Sequence, residues 1–161
     1  MTLEWMGEYR ELVEALIHYC NIYAAVYKTE KMEYDGIKYS YSQIQVLEYL
    51  LESEDQRQNM SCIASRLGIT RSNFSKIVSR LQKKGLVDKV SRPGSRKEIL
   101  VTVLPLGREL YADYSRDILR WHFSPMFDKL ASVSSADRDA FRDALFAAMG
   151  GSSYVRGIEE K

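Results

Sequence analysis

The chain has 161 residues, of which 45% are hydrophobic and 28% are charged, and its formal net charge is +1, a composition typical of one globular domain or two small packed ones. No apolar run approaches the roughly 20 residues that cross a bilayer, the amphipathic N-terminus is not that of a signal peptide, and two distant cysteines give no disulfide framework. We therefore exclude a membrane partner and expect a cytoplasmic protein.

Helical periodicity begins near the N-terminus. The apolar stripe of a long first helix consists of Leu12, Val13, Leu16, Cys20, Tyr23 and Tyr27. The segment 34–37, Tyr-Asp-Gly-Ile, should end this helix. Ser42 and Gln45 have the spacing of a capping box, which predicts the start of a second helix. The charged and polar segment 52–58 predicts a loop after it.

Two shorter helical patterns follow, separated by Gly68. Asn59 can cap the first of them and Thr70 can cap the second, because their side-chain oxygens accept hydrogen bonds from the first backbone N–H groups. Gly68 and Gly85 suit the left-handed backbone that ends a helix. At the i, i+3, i+4, i+7 spacing of an amphipathic helix, the second pattern should bury Phe74, Ile77, Val78 and Leu81.

Two β-type runs, 86–90 and 97–103, flank a turn-rich basic segment at 91–96 and predict a hairpin with a long loop. Pro105 suits the first turn of the next helix, where its missing N–H costs nothing. The apolar stripe of that helix is Leu106, Leu110, Tyr114, Ile118 and Trp121. Ser124-Pro125 should interrupt it and let it restart.

Ser134 and Asp137 predict the cap of a last helix, and Gly150-Gly151 predicts its end. The fold class is thus mainly α with a β-hairpin wing, in the order of a winged helix-turn-helix. Unused apolar stripes on the outer helices predict a homodimer. The expected division is a helical dimerisation region at 1–41 and 105–150, a winged helix-turn-helix DNA-binding domain at 42–104 and a flexible tail at 151–161.

Positive charge is concentrated in residues 59–104. This segment has ten basic and two acidic residues, a net charge of +8, whereas the rest of the chain carries −7. Such a surface attracts double-stranded DNA, because each neutralised phosphate releases counterions, although a solvated basic face is the simpler alternative. The predicted DNA-binding residues are Thr70, Arg71, Ser72, Asn73, Ser75, Lys76, Ser79, Arg80, Lys83, Arg92, Arg96 and Lys97.

Three motifs connect this pattern with a known family: Ile63-Ala64-x-x-Leu67-Gly68-Ile69, Ser75-Lys76-Ile77-Val78-x-Arg80-Leu81-x-x-Lys84-Gly85-Leu86-Val87 and Arg96-Lys97. With the element order of residues 10–150, they resemble the MarR family of bacterial transcription regulators. The resemblance implies an obligate homodimer on a pseudo-palindromic operator, with Arg96 reaching the minor groove. The chain departs from the family at Ser95, where Asp is usual, and at Leu104, where a Thr cap is usual three residues before Gly107.

The resemblance also implies a pocket for a small effector between the dimerisation helices and the winged helix. Its predicted lining is His18, Tyr23, Tyr39, Tyr41 and Trp121. Such rings suit a planar aromatic effector, and they equally suit core and interface packing. Cys20 lies on the apolar stripe of the first helix, so we expect a buried structural cysteine, with oxidant sensing as the alternative.

Enzymatic motifs do not occur in the sequence: there is no Gly-rich phosphate loop, nucleophile elbow, HExxH motif or Cys/His cluster. We therefore expect neither an enzyme nor a bound cofactor or metal. The second function class is a winged-helix module that binds another protein without sequence-specific DNA binding. A strong salt dependence of DNA affinity would separate the two, because a protein partner need not produce it.

Overall fold

The predicted element types account for most of the fold in this computed structural model, which describes residues 4–54, 60–91 and 99–150. The chain divides into two structural units, Met1–Ile44 and Gln45–Lys161. The first unit contains a 3-10 helix at Glu4–Tyr9, α1 (Arg10–Tyr27), β1 (Met32–Tyr34), β2 (Ile37–Tyr39) and the start of α2 (Tyr41–Glu52). The second contains the rest of α2, α3 (Met60–Arg66), α4 (Arg71–Lys83), β3 (Val87–Ser91), β4 (Ile99–Val103), α5 (Pro105–Ile118), α6 (Ser124–Leu130) and α7 (Ser135–Gly150).

The first helix ends at Tyr27, before the segment that was predicted to end it, and a hairpin follows. In this hairpin β1 pairs antiparallel with β2, with Tyr34 opposite Ile37. Asp35 and Gly36 have φ values of 47° and 75°, as the two central residues of a type I′ hairpin turn require. The prediction for residues 34–37 was therefore wrong, because Asp-Gly between apolar residues makes a strand turn here.

The cap of α2 lies two residues before the predicted one. The Ser40 N–H donates to Gln43 Oε1 at 3.3 Å, and Ser40 Oγ shares a hydrogen bond of 2.9 Å with Ser42 Oγ. Gln43 is buried, and its Nε2 donates to Glu30 Oε1 at 2.8 Å. The capping box predicted at Ser42 and Gln45 was wrong, because the same Ser-x-x-Gln spacing at residues 40–43 meets the helix start.

The core of the second unit forms where α2, α3, α4, β3, β4 and α5 contribute buried apolar side chains. Its most buried members, all at most 6% exposed, are Val46, Leu47, Leu50, Ile63, Ala64, Phe74, Ile77, Val78, Leu81, Leu86, Val87, Val103 and Leu110. The four residues predicted for the buried face of α4 are all among them. Full burial of such a side chain contributes about 1.5–3 kcal/mol, so this face holds α4 firmly in place.

The positions of the two helix-ending glycines are confirmed. Gly68 has φ 64° and follows α3, and Gly85 has φ 70° and follows α4. The hairpin after Gly85 is confirmed as well, since β3 pairs antiparallel with β4 from Val87 opposite Val103 to Ser91 opposite Ile99. The structure thus has the predicted winged helix-turn-helix order. Asn59 and the hairpin loop at 92–98 lie outside the described residues.

The helix that begins at Pro105 widens where a break was predicted. Leu104 precedes α5 without a side-chain capping bond. Before α6 the backbone forms a π-helical turn at Leu119–Phe123, and Ser124 Oγ donates to Leu119 O at 2.9 Å. Pro125 explains the turn: it has no N–H, and its ring would collide with the carbonyl four residues earlier in a regular helix.

The last helix has its predicted cap. Ser134 Oγ accepts from the Asp137 N–H at 3.1 Å and lies 2.6 Å from Asp137 Oδ2. Among the described residues, no helix is both long enough and apolar enough to cross a membrane.

Large apolar side chains remain at the surface of both units. In α1, no residue is buried, and its exposed apolar residues include Leu12, Leu16, Ile17, Tyr19 and Ile22. The second unit exposes Leu119, Met126, Phe127, Leu130, Phe141 and Phe146. Cys20 is exposed on α1, so the prediction of a buried cysteine was wrong for the single chain.

Candidate nucleic-acid interface

The cap of α4 fixes where the basic helix begins. Thr70 has an extended backbone, and its side chain accepts a hydrogen bond from the Asn73 N–H at 3.1 Å. This satisfies one of the first-turn N–H groups that a helix start leaves without a backbone partner. The predicted cap is confirmed. The first turn of α4, with Arg71 and Ser72 exposed, is therefore well defined.

The face of α4 opposite the core is basic and accessible. Lys76, Arg80 and Lys83 are exposed, whereas Ser75 and Ser79 between them are half-buried. These five side chains line a shallow depression of about 260 Å³. Among the described residues, none of the three cations has an ion-pair partner within 4.0 Å. The helix thus presents three positive charges that no carboxylate of the described residues neutralises at ion-pair distance.

Two side-chain hydrogen bonds attach β3 to α4. Lys89 Nζ donates to Ser79 Oγ at 2.9 Å, and Gln82 Nε2 donates to Asp88 Oδ1 at 3.2 Å. Asp88 Oδ1 also accepts from the Lys89 N–H at 2.8 Å. The predicted set of DNA-binding residues omits Lys89, although this bond brings its ammonium to the exposed face of α4. Its charge was visible in the sequence, but its position depends on how β3 packs against the helix.

One basic residue of the charged segment serves the fold. Arg66, at the end of α3, stacks its guanidinium over the Tyr49 ring, 4.7 Å from the centroid. It also bonds to Glu52 at 2.8 Å and to Ser53 Oγ at 3.4 Å. These contacts join the end of α3 to the end of α2. Arg66 therefore contributes less to an anion-binding surface than its charge suggests.

The second unit also ties α5 to α2 through polar groups. Burial, followed by the charge of Glu48 and a hydrogen bond to it, raises the pKa of Tyr111 to about 12, with a smaller contribution from the charge of Glu52. Arg108, in the first turn of α5, forms an ion pair with Glu54. These bonds connect the helix after the wing with the helix before the helix-turn-helix.

Arg92, Arg96 and Lys97 lie outside the described residues, as does the side chain of Trp121. The strands that flank the loop are in place, with Ser91 opposite Ile99 as the last described pair.

Two of the predicted effector residues lie together in the first unit. The rings of Tyr23 and Tyr41 are both half-buried, with centroids 6.2 Å apart. His18 is exposed on α1, and Tyr39 is only 5% exposed, so a ligand could reach the Tyr39 ring only if its neighbours moved. Among the described residues, no three His, Cys, Asp or Glu side chains converge as metal ligands.

Comparison with known proteins identifies the helix-turn-helix segment. A sequence profile of the MarR family matches residues 36–98. Over this segment the chain is similar to the MarR family. An uncharacterized HTH-type transcriptional regulator of Bacillus subtilis (strain 168), YvnA, is 40% identical over 57 residues, which is 35% of this chain and 36% of the relative. The chain therefore matches about a third of that relative's length.

Two solved structures from Streptomyces coelicolor share the MarR fold with this protein. Sco3205, a MarR family transcriptional regulator solved in complex with DNA, is 19% identical, with a TM-score of 0.69 over 92% of this chain and 91% of that one. The PcaV transcriptional regulator, solved with its natural ligand, is 19% identical, with a TM-score of 0.62 over 94% of this chain and 98% of that one. At this identity, the likeness shows the fold of this chain.

Proposed function

We propose that this protein is a transcription regulator of the MarR family. It acts in the cytoplasm and is not an enzyme. It binds double-stranded DNA as a homodimer on a pseudo-palindromic operator, and a small aromatic effector adjusts its DNA affinity. The proposal of DNA binding rests on the exposed face of α4. Lys76, Arg80 and Lys83 surround a shallow depression on this face, while the opposite face is buried. A helix held in this way can enter a major groove with its cationic face directed at the DNA.

The same proposal assigns roles along α4 and the wing. The first turn, from Thr70 to Asn73, meets phosphates, because backbone N–H groups and the helix dipole favour anions there. Lys76 and Arg80 reach base edges or phosphates from the middle of the helix. Ser75, Ser79 and Lys83 belong to the same contact face. The wing residues Arg92, Arg96 and Lys97 contact the adjoining groove and backbone.

Uncovered apolar surface supports the homodimer. An 18-residue helix without a buried residue, α1, exposes Leu12, Leu16 and Ile17, and the second unit exposes Phe127 and Phe141. Apolar patches of this kind on a chain that must remain in solution favour burial against a second copy. A two-fold dimer would present two α4 helices to half-sites roughly 34–36 Å apart, one turn of the duplex.

An aromatic effector is the finer part of the proposal. The half-buried rings of Tyr23 and Tyr41 offer a stacking surface, and His18 and Tyr39 lie in the same unit. Trp121 completes the set assigned to the pocket. The structure of PcaV with its natural ligand supports ligand binding by proteins of this fold. A planar phenol or carboxylic acid would suit such rings.

Selection from a random duplex library tests the proposal and its alternative. We expect the protein to enrich a sequence with two inverted half-sites, and its affinity to fall steeply between 0.05 and about 0.2 M salt. A parallel selection with Lys76→Ala/Arg80→Ala should enrich nothing. Repeating the wild-type selection with simple phenols and aromatic acids tests effector control. A protein-interaction module would enrich no sequence and show weak salt dependence.

A further inference from the structure

Lys89 of β3 stands beside the exposed face of α4. We propose that it contacts a DNA phosphate, and that Ser79 is its positioning residue and does not read a base. This inference rests on the proposed DNA-binding function and deepens it. It starts from a chain of two hydrogen bonds, from Lys89 Nζ to Ser79 Oγ and from Ser79 Oγ to Ser75 O, each 2.9 Å long.

The chemistry of the two groups fixes the direction of these bonds. A hydroxyl has one proton to donate and two lone pairs, whereas an ammonium has three protons and no lone pair. Ser75 O can only accept, so the Ser79 hydroxyl donates its hydrogen bond to Ser75 O. Lys89 must therefore donate to Ser79 Oγ. With its proton used within the helix, Ser79 has no donor left for a phosphate or a base acceptor. It therefore acts as an acceptor that holds Lys89.

The remaining N–H groups of Lys89 supply the DNA contact. Among the described residues, Ser79 is the hydrogen-bond partner of the ammonium, which leaves two N–H groups for an anion. Lys89 is half-buried, so its stem is packed while its charged end stays at the surface. The bond from Gln82 to Asp88, one position before Lys89, holds the strand against α4. A lysine held in this way loses less conformational entropy when it binds.

The surroundings of Ser79 favour a phosphate as the ligand. Ser79 lines the same depression as Lys76, Arg80 and Lys83. Because Lys89 Nζ lies 2.9 Å from Ser79 Oγ, a fourth cation lies close to these three. Cations gathered around one depression repel one another, and an anion bound between them relieves the repulsion. A DNA phosphate supplies that anion wherever the duplex backbone passes between the helix and the wing.

The test is a salt titration of operator affinity, measured by fluorescence anisotropy on a duplex obtained from the selection. The variants are Lys89→Met, Lys89→Arg, Ser79→Ala and the Lys89→Met/Ser79→Ala double variant. Lys129→Met, on α6, removes one lysine charge as a matched control. Thermal unfolding of each variant checks that it is folded.

We expect Lys89→Met to make the slope of log affinity against log salt shallower by about 0.9, a loss of roughly fivefold at 0.15 M salt, equally on all sequences. Lys89→Arg and Lys129→Met should keep the wild-type slope. Ser79→Ala should weaken binding about two- to tenfold in the wild-type background and have no effect when Lys89 is already Met. A merely structural serine would not show this dependence on Lys89.

Two results would overturn the inference alone: a wild-type slope in folded Lys89→Met, or a change of preference at one base pair in Ser79→Ala that persists without Lys89. If Lys89→Met fails to fold, Lys89→Arg replaces it in the comparison with Ser79→Ala. Arginine is too long to bond to Ser79 in the same way, so Ser79→Ala should have no effect on DNA affinity when residue 89 is Arg. Wild-type protein that binds no DNA would instead overturn the proposed function.

Discussion

The first turn of α5 touches the start of β3 at Gly107 and Leu86. A Cβ built on Gly107 would collide with the Leu86 carbonyl oxygen and stand 2.9 Å from Val103 Cγ1. The same carbonyl accepts a hydrogen bond from the Leu104 N–H at 3.0 Å, so it cannot move away without losing that bond. The helix after the wing is thereby joined to the wing through backbone atoms.

We expect Gly107→Ala to destabilise the protein by about 1–3 kcal/mol through this overpacking. The sign of the change in unfolding free energy is informative, because an alanine in place of glycine inside an unobstructed helix stabilises the helix by about 1 kcal/mol. Urea unfolding followed by circular dichroism measures the change. A stability equal to or above that of the wild type would contradict the close contact.

Tyr111 should make the free energy of unfolding fall at alkaline pH. Its pKa is raised to about 12 from the ordinary 10.0, first by burial and then by Glu48, so the folded chain holds the phenol proton more firmly than the unfolded chain. This contribution is fully present below pH 10 and is lost as the pH rises towards 12.

Tyr111→Phe tests this contribution. At neutral pH it should cost about 1 kcal/mol, allowing for the partial exposure of the pair, and the difference from wild type should shrink above about pH 10. Urea unfolding at a series of pH values measures both effects. Tyr9→Phe, at an exposed tyrosine, is the control. A difference that stays constant up to the alkaline end would exclude the raised pKa.

The exposed face of α4 predicts that Lys76→Ala and Arg80→Ala weaken DNA binding without unfolding the protein. If either residue contacts a base, the loss should be about 1–3 kcal/mol, with relaxed preference at one position. Operator titration measures the loss, and thermal unfolding checks the fold. Lys129→Ala is the control. If both variants bound as tightly as wild type, this face would be merely solvated.

The wing prediction comes from the sequence, since Arg96 lies outside the described residues. An A·T-rich minor groove concentrates negative potential, and an inserted arginine gains from it. Arg96→Ala should therefore lower affinity most for operators with A·T pairs beneath the wing. Ser95→Asp restores the carboxylate usual in the family, and we expect it to preserve or improve affinity by ordering Arg96. Titration of labelled operators at physiological salt measures both, and unaffected binding by Arg96→Ala would rule out the minor-groove role.

The uncovered stripe of α1 predicts the oligomeric state. Light scattering at micromolar concentration should report about twice the chain mass of 18.6 kDa. Leu16→Glu places a charge in the stripe and should give monomers, because an unpaired buried charge is costly. Glu14→Gln changes an exposed residue that pairs with Arg10 and should leave the dimer intact. Wild-type monomers would remove the two-half-site mechanism.

Element order and the buried face of α4 were predictable because both depend on local physics. The Thr70 cap bonds to a backbone group three residues away, and the burial of Phe74 and Leu81 follows from their position on one helix face. Gly68 and Gly85 end their helices for an equally local reason. Errors arose where a short pattern fits two registers, as in the Ser-x-x-Gln spacing that caps α2 at Ser40 and not at Ser42.

By itself, then, the sequence determined that a basic helix with one apolar face follows a capped turn and precedes a hairpin, because these features depend on residues close together in the chain. Only the tertiary structure decided which charges face outward. It stacked Arg66 on the Tyr49 ring and brought Lys89 to Ser79. Both depend on how separate elements pack against one another, and neither helical periodicity nor strand alternation contains that information.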